Sequence, residues 1–442
     1  MNDRRKMMNN KRVFAVLMIM SMLFLTTSCA MIPASTLEAM FRPSHSSEQA
    51  VISSGGSDAG SSGIYSSDGD TVTISREEYE KLQLFSEALS LYEFANENFY
   101  EETDPERLIE YASRGVLAGL DEPYSFYYSP EEFAELWEED EGTYVGIGVQ
   151  ITSNMETQLC TISRVFKGGP AEEVGVQRGD ILYRVGEDLM VTASNVQDAV
   201  DIMRGEPDTD VEVTFLRDGE EITFTITRRE VIVNQIESKM LEKSIGYIAM
   251  YQFAGQCEQE FETALNELIA QGAEGIIIDL RDNPGGWVDQ ARYIADLFMD
   301  EGEICYLVYR DGIWRNDEYR TKNGKVDVKL TILVNENTAS SSEILTSALR
   351  ERAGAKVVGV KSFGKGIIQG VYPIGSSGAG FQLTIAQYYT PDKNKVHHEG
   401  VTPDYEIPLP EGDNGMYEFA DLSNDVQLVK ALEVAREQVG EE

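Results

Sequence analysis

The chain has 442 residues, 42% of them hydrophobic and 9% aromatic, enough to bury the cores of two or three domains. Asp and Glu number 76 against 37 Lys and Arg, a net charge of −39. That balance excludes nucleic acid and anionic lipid as partners of the general surface, so attachment to a membrane must come from a dedicated segment.

The first thirty residues supply such a segment. Arg4, Arg5, Lys6, Lys11 and Arg12 form a basic head, and Val13 to Leu25 follow as an apolar run broken by Ser21. This is the length of a signal-peptide core and short of a spanning helix. Leu25-Thr26-Thr27-Ser28-Cys29-Ala30 then resembles a bacterial lipoprotein cleavage site with Cys29 as the lipidated residue. An uncleaved anchor helix extended through Ile32 is the alternative, and both readings place the body outside the cytoplasm, tethered to the membrane. Cys160, Cys257 and Cys305 lie far apart without CxxC spacing, which indicates neither a metal site nor a disulfide framework.

From Pro43 to about Asp70 the chain is Ser, Gly and Asp, too poor in apolar groups to order itself. Ser75-x-x-Glu78 reads as a capping box opening a helix that carries Leu82, Phe85, Leu89, Tyr92 and Phe99. A further helix starts at Asp104-Pro105. From Thr143 to about Thr227 the pattern is of short strands: Val145–Ile151, Leu159–Val165, one opening at Gly179-Asp180-Ile181 and Val211–Phe215. Arg217-Asp-Gly-Glu220 is a hairpin turn and Ser194–Met203 a helix. From Gly246 strands and helices alternate, as in a layered α/β domain, and an amphipathic helix over Asp425–Gln438 closes the chain.

The chain has three histidines, His45, His397 and His398, so a Ser–His–Asp site would draw its base from one adjacent pair. Three other segments carry candidate chemistry. Ser340 stands where a buried strand turns into a helix. The plain reading of Ser340-x-x-Glu343 is a helix cap; the functional one places a nucleophile at an electropositive helix start, with Ser341 N–H facing a developing oxyanion. Gly359-x4-Gly364-Lys365 nearly matches a phosphate-binding loop, but Gly366 replaces the hydroxyl residue that magnesium needs. Ile367 and Ile368 suggest a strand with Lys365, Ile367 and Gln369 on one face, where burial would disfavour the ammonium and make Lys365 a base. Asp279-Leu-Arg-Asp-Asn283-Pro-Gly-Gly286 ends a buried strand in a turn whose N–H groups can be aimed at a ligand.

Together these segments resemble the carboxyl-terminal processing proteases, from about Leu117 to Asp404. Leu120-Asp-Glu-Pro-Tyr-Ser125 is similar to the family's entry motif. Gly146-Ile-Gly148, Val165-x-x-Gly-x-Pro170 and Gly175-Val-x-x-Gly179-Asp180 are similar to its PDZ domain. The Asp279 to Gly286 segment, Leu383-Thr-x-Ala386-x-Tyr388 and Gly400-Val-x-Pro403-Asp404 are similar to its remaining motifs; Thr338 stands where a Ser is usual. In this family the catalytic Ser precedes the Lys by 25 residues and the Gln follows the Lys by four, as Ser340, Lys365 and Gln369 do here.

The resemblance implies Ser340 as nucleophile, Lys365 as base and Gln369 as its orienter, with oxyanion donors Ser341 N–H and the N–H of Gly285 or Gly286. No cofactor and no metal are implied. Val145, Gly146, Ile147 and Gly148 would receive the terminal carboxylate of an apolar protein tail, which adds as a strand beside Ile147–Ile151. An empty PDZ domain could also gate the cleft. The expected fold is mixed α/β, a layered crotonase/Clp-like protease core with an inserted β-rich PDZ domain and an N-terminal helical segment. Its divisions are 1–30 leader or anchor, 31–70 linker, 71–141 helical region, 142–229 PDZ domain and 230–442 protease core. Helices at both ends of the body make a homodimer reasonable.

Overall fold

The structure, a computed structural model, describes residues 66–68 and 71–440 apart from 156, 187, 316–318, 322–325, 414, 416 and 418. The basic leader, Cys29 and the tether before residue 66 lie outside the described residues. Among the described residues no helix is long and apolar enough to cross a membrane. The chain divides into two compact units, Met1–Ser86 and Glu87–Glu442.

In the first unit, β1 (Ser66–Asp68) and β2 (Thr71–Thr73) pair antiparallel. Regular structure thus begins earlier than the expected linker boundary at Asp70, because Thr71-Val-Thr73 is β-branched throughout and suits a strand. In α1 (Arg76–Leu84) the capping box forms: Glu78 N–H donates to the Ser75 hydroxyl and Ser75 N–H to the Glu78 carboxylate. The helix stops at Phe85, its C-cap, and α2 (Ser86–Asn98) begins anew, so the apolar run forms two helices. α3 (Pro105–Ala118) starts as expected at Asp104, whose carboxylate accepts from Glu106 and Arg107 N–H.

Two elements that local pattern did not announce follow, β3 (Phe126–Tyr128) and α4 (Pro130–Glu141). β3 is three residues long and pairs with residues 380–382, a partner invisible to a sequence window.

The β-rich module comprises β4 (Thr143–Gly146), β5 (Val149–Asn154), β6 (Leu159–Val165), α5 (Pro170–Val174), β7 (Ile181–Val185) and β8 (Leu189–Met190). It continues with α6 (Val196–Met203), β9 (Asp210–Arg217), β10 (Glu220–Thr227) and β11 (Arg229–Ile232). Its main sheet runs β10-β9-β7-β6-β5, with β8 on β7, while β4 and β11 form a separate ribbon. The strand expected over Val145–Ile151 is therefore two strands in two sheets, divided at Gly148, where φ is +86°. β5 ends the main sheet and leaves one edge open. Ile162, Leu182, Val213, Phe215 and Ile226 fill the core.

The α/β domain comprises β12 (Ile236–Met240), β13 (Ile245–Met250), α7 (Cys257–Ala270), β14 (Gly275–Asp279), α8 (Val288–Phe298), β15 (Tyr306–Tyr309) and β16 (Trp314–Arg315). Then come β17 (Lys329–Val334), α9 (Ser341–Arg352), β18 (Lys356–Gly359), β19 (Ile367–Pro373), β20 (Gly380–Tyr389), β21 (Tyr405–Glu406) and α10 (Val426–Val439). The central sheet runs β12-β13-β14-β17-β18-β21 and is parallel from β13 onward. Every residue of β13 and β14 is buried, as in sheets covered on both faces. Ile248, Met250, Ile276 and Ile278 pack with α7, α8 and α9; Ile245, Tyr247 and Ala249 pack with Leu428 and Leu432 of α10. A second sheet, β16-β15-β20-β19 with β3 on β20, joins the first cluster through Ile368, Ala386 and Tyr388. Because β14 and β17 are parallel neighbours, the Pro284-Gly-Gly286 turn and Ser340 emerge side by side at their carboxyl ends, where open α/β sheets bind ligands.

Candidate active site

Ser340 occupies the turn between β17 and α9 with φ 56° and ψ −119°, a backbone that non-glycine residues avoid. Strand, sharp turn and helix present the side chain outward in the manner of a nucleophile elbow. Several contacts enforce the turn. Ser340 N–H donates to Glu343 Oε2 (3.0 Å), and Tyr388 Oη donates to the Ser340 carbonyl (3.1 Å). Ser341 Oγ donates to the Gly286 carbonyl (2.7 Å) and Ser342 Oγ to that of Asn283 (3.1 Å), so the glycine turn and the start of α9 are stitched together. Thr338 donates its hydroxyl to the Leu280 carbonyl (2.7 Å), the same joint seen from the other side.

Gly285 and Gly286 both have positive φ. A Cβ on Gly285 would lie 2.9 Å from Ser341 N, and one on Gly286 would lie 2.0 Å from the Phe253 carbonyl oxygen, so both positions exclude a side chain. Their N–H groups differ. Gly285 N–H donates to Asn283 Oδ1 (2.9 Å), whereas Gly286 lines the cleft beside Ser340.

The Glu343 carboxylate is fully buried and accepts four hydrogen bonds: from Ser340 N–H and Lys365 N–H on one oxygen, from Gly364 N–H and Ser362 Oγ on the other. Burial raises its pKa above the usual carboxylate range, and these donors oppose the rise. The residue read as a helix cap thus also fixes the backbone of Lys365 relative to that of Ser340.

Lys365 lies two residues before the start of β19 at Ile367, and the ladder shifts register between Ile368 and Gln369. The single alternating face expected for Lys365, Ile367 and Gln369 is replaced by a loop and a bulge, yet all three line one cleft with Ser340. Burial lowers the Lys365 ammonium below the ordinary lysine range, and the Glu122 carboxylate pulls it back up. The amine sits 4.5 Å from the centre of the Tyr124 ring. Among the described residues no hydrogen bond joins Lys365 Nζ to Ser340 Oγ, and Gln369 Nε2 donates to Thr384 Oγ1 (3.1 Å). No helix follows Lys365, which removes the phosphate-loop reading; a Cβ on Gly366 would lie 2.2 Å from His397 N, so close backbone packing requires that glycine.

The cleft has a volume of about 480 Å³ and reaches the β-rich module, where Tyr144, Ile147, Val149, Ile151 and Met203 line it. Val145 and Gly146 pair with Glu230 and Arg229 in the ribbon, and the Ile147 and Gly148 carbonyls accept from Ala171 and Phe166 N–H. Arg164 bridges the two domains: its guanidinium donates to the Asn234 carbonyl (2.5 Å) and Glu237 (3.3 Å) and lies 3.6 Å from the Tyr251 ring centre. Trp137 of α4 stacks on Trp287 beside the glycine turn, centres 5.9 Å apart. Glu122, Glu343 and Trp137 went unassigned as site residues in the sequence reading; Glu122 and Glu343 were visible in motifs, but only the fold shows what they touch.

Residues 244–407 match the model of Peptidase family S41, and residues 161–217 that of the PDZ domain. A carboxyl-terminal-processing protease of Synechocystis sp. is 36% identical over 329 residues, covering 72% of this chain and 75% of the relative. The chain belongs to the carboxyl-terminal processing protease family. The carboxy-terminal processing protease CtpA of Bacillus subtilis is 32% identical, covering 74% and 70%. A solved photosystem II D1 C-terminal processing protease matches with a TM-score of 0.51 at 26% identity, covering 76% of this chain and 95% of that one. This family member is accordingly a serine-type peptidase with a PDZ domain, acting on proteins.

Proposed function

We propose that the chain is an extracytoplasmic endopeptidase that docks apolar C-terminal tails on its PDZ domain and cuts them with a Ser340–Lys365 pair. The observation that carries this reading is the single cleft lined at one end by Ser340, Lys365, Gln369 and Gly286 and at the other by the open edge of β5. Residues 142–229 serve as the docking domain and 230–442 as the protease core, following the helical region 71–141 in sequence. The tail adds as a strand along β5, with its carboxylate at Val145–Gly148, where β4 gives way to β5, and docking raises its effective concentration at Ser340.

In the first step neutral Lys365 Nζ takes the Ser340 Oγ proton while Oγ bonds to the scissile carbonyl carbon. The oxyanion accepts from Ser341 N–H and Gly286 N–H; Gly286 is chosen because Gly285 N–H is already donated to Asn283. The Lys365 ammonium then gives its proton to the leaving nitrogen as the C–N bond breaks, leaving an ester on Ser340. Water, deprotonated by the same amine, attacks the ester and releases the acid, and the proton returns to Ser340 Oγ. Gln369 orients the amine through its carbonyl.

The test follows cleavage of an unstructured protein with an apolar tail by the full chain from pH 6 to 10. Wild type is expected to gain activity as one base below the ordinary lysine range loses its proton, and Ser340→Ala and Lys365→Ala to lose at least about 10³-fold. Cleavage by Lys365→Ala with the wild-type profile would sink the reading. The tether is tested by Cys29→Ser, which should release the protein from the membrane fraction if Cys29 is lipidated. Exposed Leu89, Leu91, Ile109 and Tyr111 on α2 and α3 support a homodimer, checked by light scattering.

A further inference from the structure

One carboxylate, joined to the cleft residue Gln369 through Thr384, is not used by the mechanism above. Glu122 precedes β3 on a loop fastened to β20: Gln382 Nε2 donates to the Tyr124 carbonyl (3.0 Å) and Thr384 N–H to Ser125 Oγ (3.0 Å). Within that frame Glu122 Oε1 accepts from Tyr124 N–H (2.9 Å), and Oε2 accepts from Ser125 Oγ (2.7 Å) and Thr384 Oγ1 (2.8 Å). Three donors on a half-buried carboxylate leave it no freedom to swing away. Thr384 Oγ1 in turn accepts from Gln369 Nε2, and the Tyr124 ring lies against the Lys365 amine.

We propose that Glu122 is a positioning residue for the base: its fixed carboxylate attracts the Lys365 amine toward the Tyr124 face and, through Thr384, sets the amide of Gln369 beside it. This rests on the Ser340–Lys365 reading. A mobile lysine needs a second reference point, because Glu343 holds the backbone of Lys365 and leaves the four-carbon side chain free. Glu122 supplies that point from a different part of the chain, and it explains why an acidic residue stands in the Leu120 to Ser125 motif.

The charges around the amine allow a specific signature. Burial opposes ionisation of Glu122, but its hydrogen bonds and the Lys365 charge hold it below the usual carboxylate range. It is therefore an anion throughout the working range and favours the Lys365 ammonium. The other ionisable groups at this point are Glu343 behind the Lys365 backbone, the Tyr124 phenol, and His397, whose pKa is lowered by burial and by neighbouring His398 and Lys395.

The experiment measures kcat and KM of the full chain from pH 5 to 10 for wild type, Glu122→Gln, Glu122→Asp and Thr384→Val, with circular dichroism to confirm folding. Glu122→Gln should move the acid limb to lower pH, since removing the anion eases deprotonation of Lys365. It should also lower kcat roughly 10–100-fold with KM little changed. Glu122→Asp should return the limb to its wild-type position. Thr384→Val keeps the charge and cuts the link to Gln369, so kcat should fall with the limb unmoved and recover in Thr384→Ser; this decides the matter if Glu122→Gln does not fold. An acid limb of Glu122→Gln that coincides with wild type, whether or not kcat falls, overturns the proposal, as does wild-type kcat in Thr384→Val. If Lys365→Ala is inactive while the Glu122 variants match wild type, only the positioning role fails; if Lys365→Ala is active, the Ser–Lys reading fails with it.

Discussion

At the catalytic end of the cleft, the backbones of Ser340 and Lys365 converge on one buried carboxylate, and the Pro284-Gly-Gly286 turn is bonded to the helix that follows Ser340. At the proposed docking end, β5 keeps an open edge, and its domain meets the core through the Arg164 stack on Tyr251. Chemistry requires reacting atoms held within fractions of an ångström, so that end is over-determined. Under the proposed function, recognition of many tails requires an edge that accepts a new strand, and an incomplete sheet edge suits that role. Variants at the two ends should therefore fail in different ways.

The sharpest test of the rigid end is Glu343→Ala. Ser362, Gly364, Lys365 and Ser340 would lose their shared acceptor inside the core, and unfolding free energy should fall by about 3–5 kcal/mol in chemical denaturation, with activity lost as well. Next is Gly286→Ala, whose Cβ cannot avoid the Phe253 carbonyl oxygen. It should displace the proposed oxyanion donor and cost about 10²–10³-fold in kcat, measured on a tailed substrate. Arg164→Ala attacks the open end. Loss of the desolvated cation–π contact is worth roughly 2 kcal/mol and should weaken cleavage of tailed substrates, while an untailed peptide is cut as by wild type. Trp137→Ala removes a stack worth about 0.5–1.5 kcal/mol and should raise KM only a few-fold. If Arg164→Ala lowered stability as much as Glu343→Ala, the contrast between the two ends would be wrong.

The same contrast governs what could be read from the chain. Periodicity and capping located α3, β6, α9 and α10 closely because their signals are local: Asp104-Pro105, an alternating run, Ser340 to Arg352, and Asp425 as an N-cap. Sequence also brought Ser340, Lys365 and Gln369 together, by spacing and family pattern. It missed β3 and the role of Glu122, since both depend on partners far along the chain, at Gln382 and Thr384. It placed Lys365, Ile367 and Gln369 on one strand face because neither the strand start at Ile367 nor the bulge after Ile368 leaves a mark in the pattern of residue types.

The backbone of Ser340 has one more consequence. At φ 56° and ψ −119° a glycine would sit with less strain than any residue that carries a Cβ. Replacing Ser340 by Gly should then yield a protein that melts at a higher temperature and cuts nothing. Natural selection for thermal robustness alone would erase this serine; under the proposed function its presence marks a position where activity and durability pull in opposite directions.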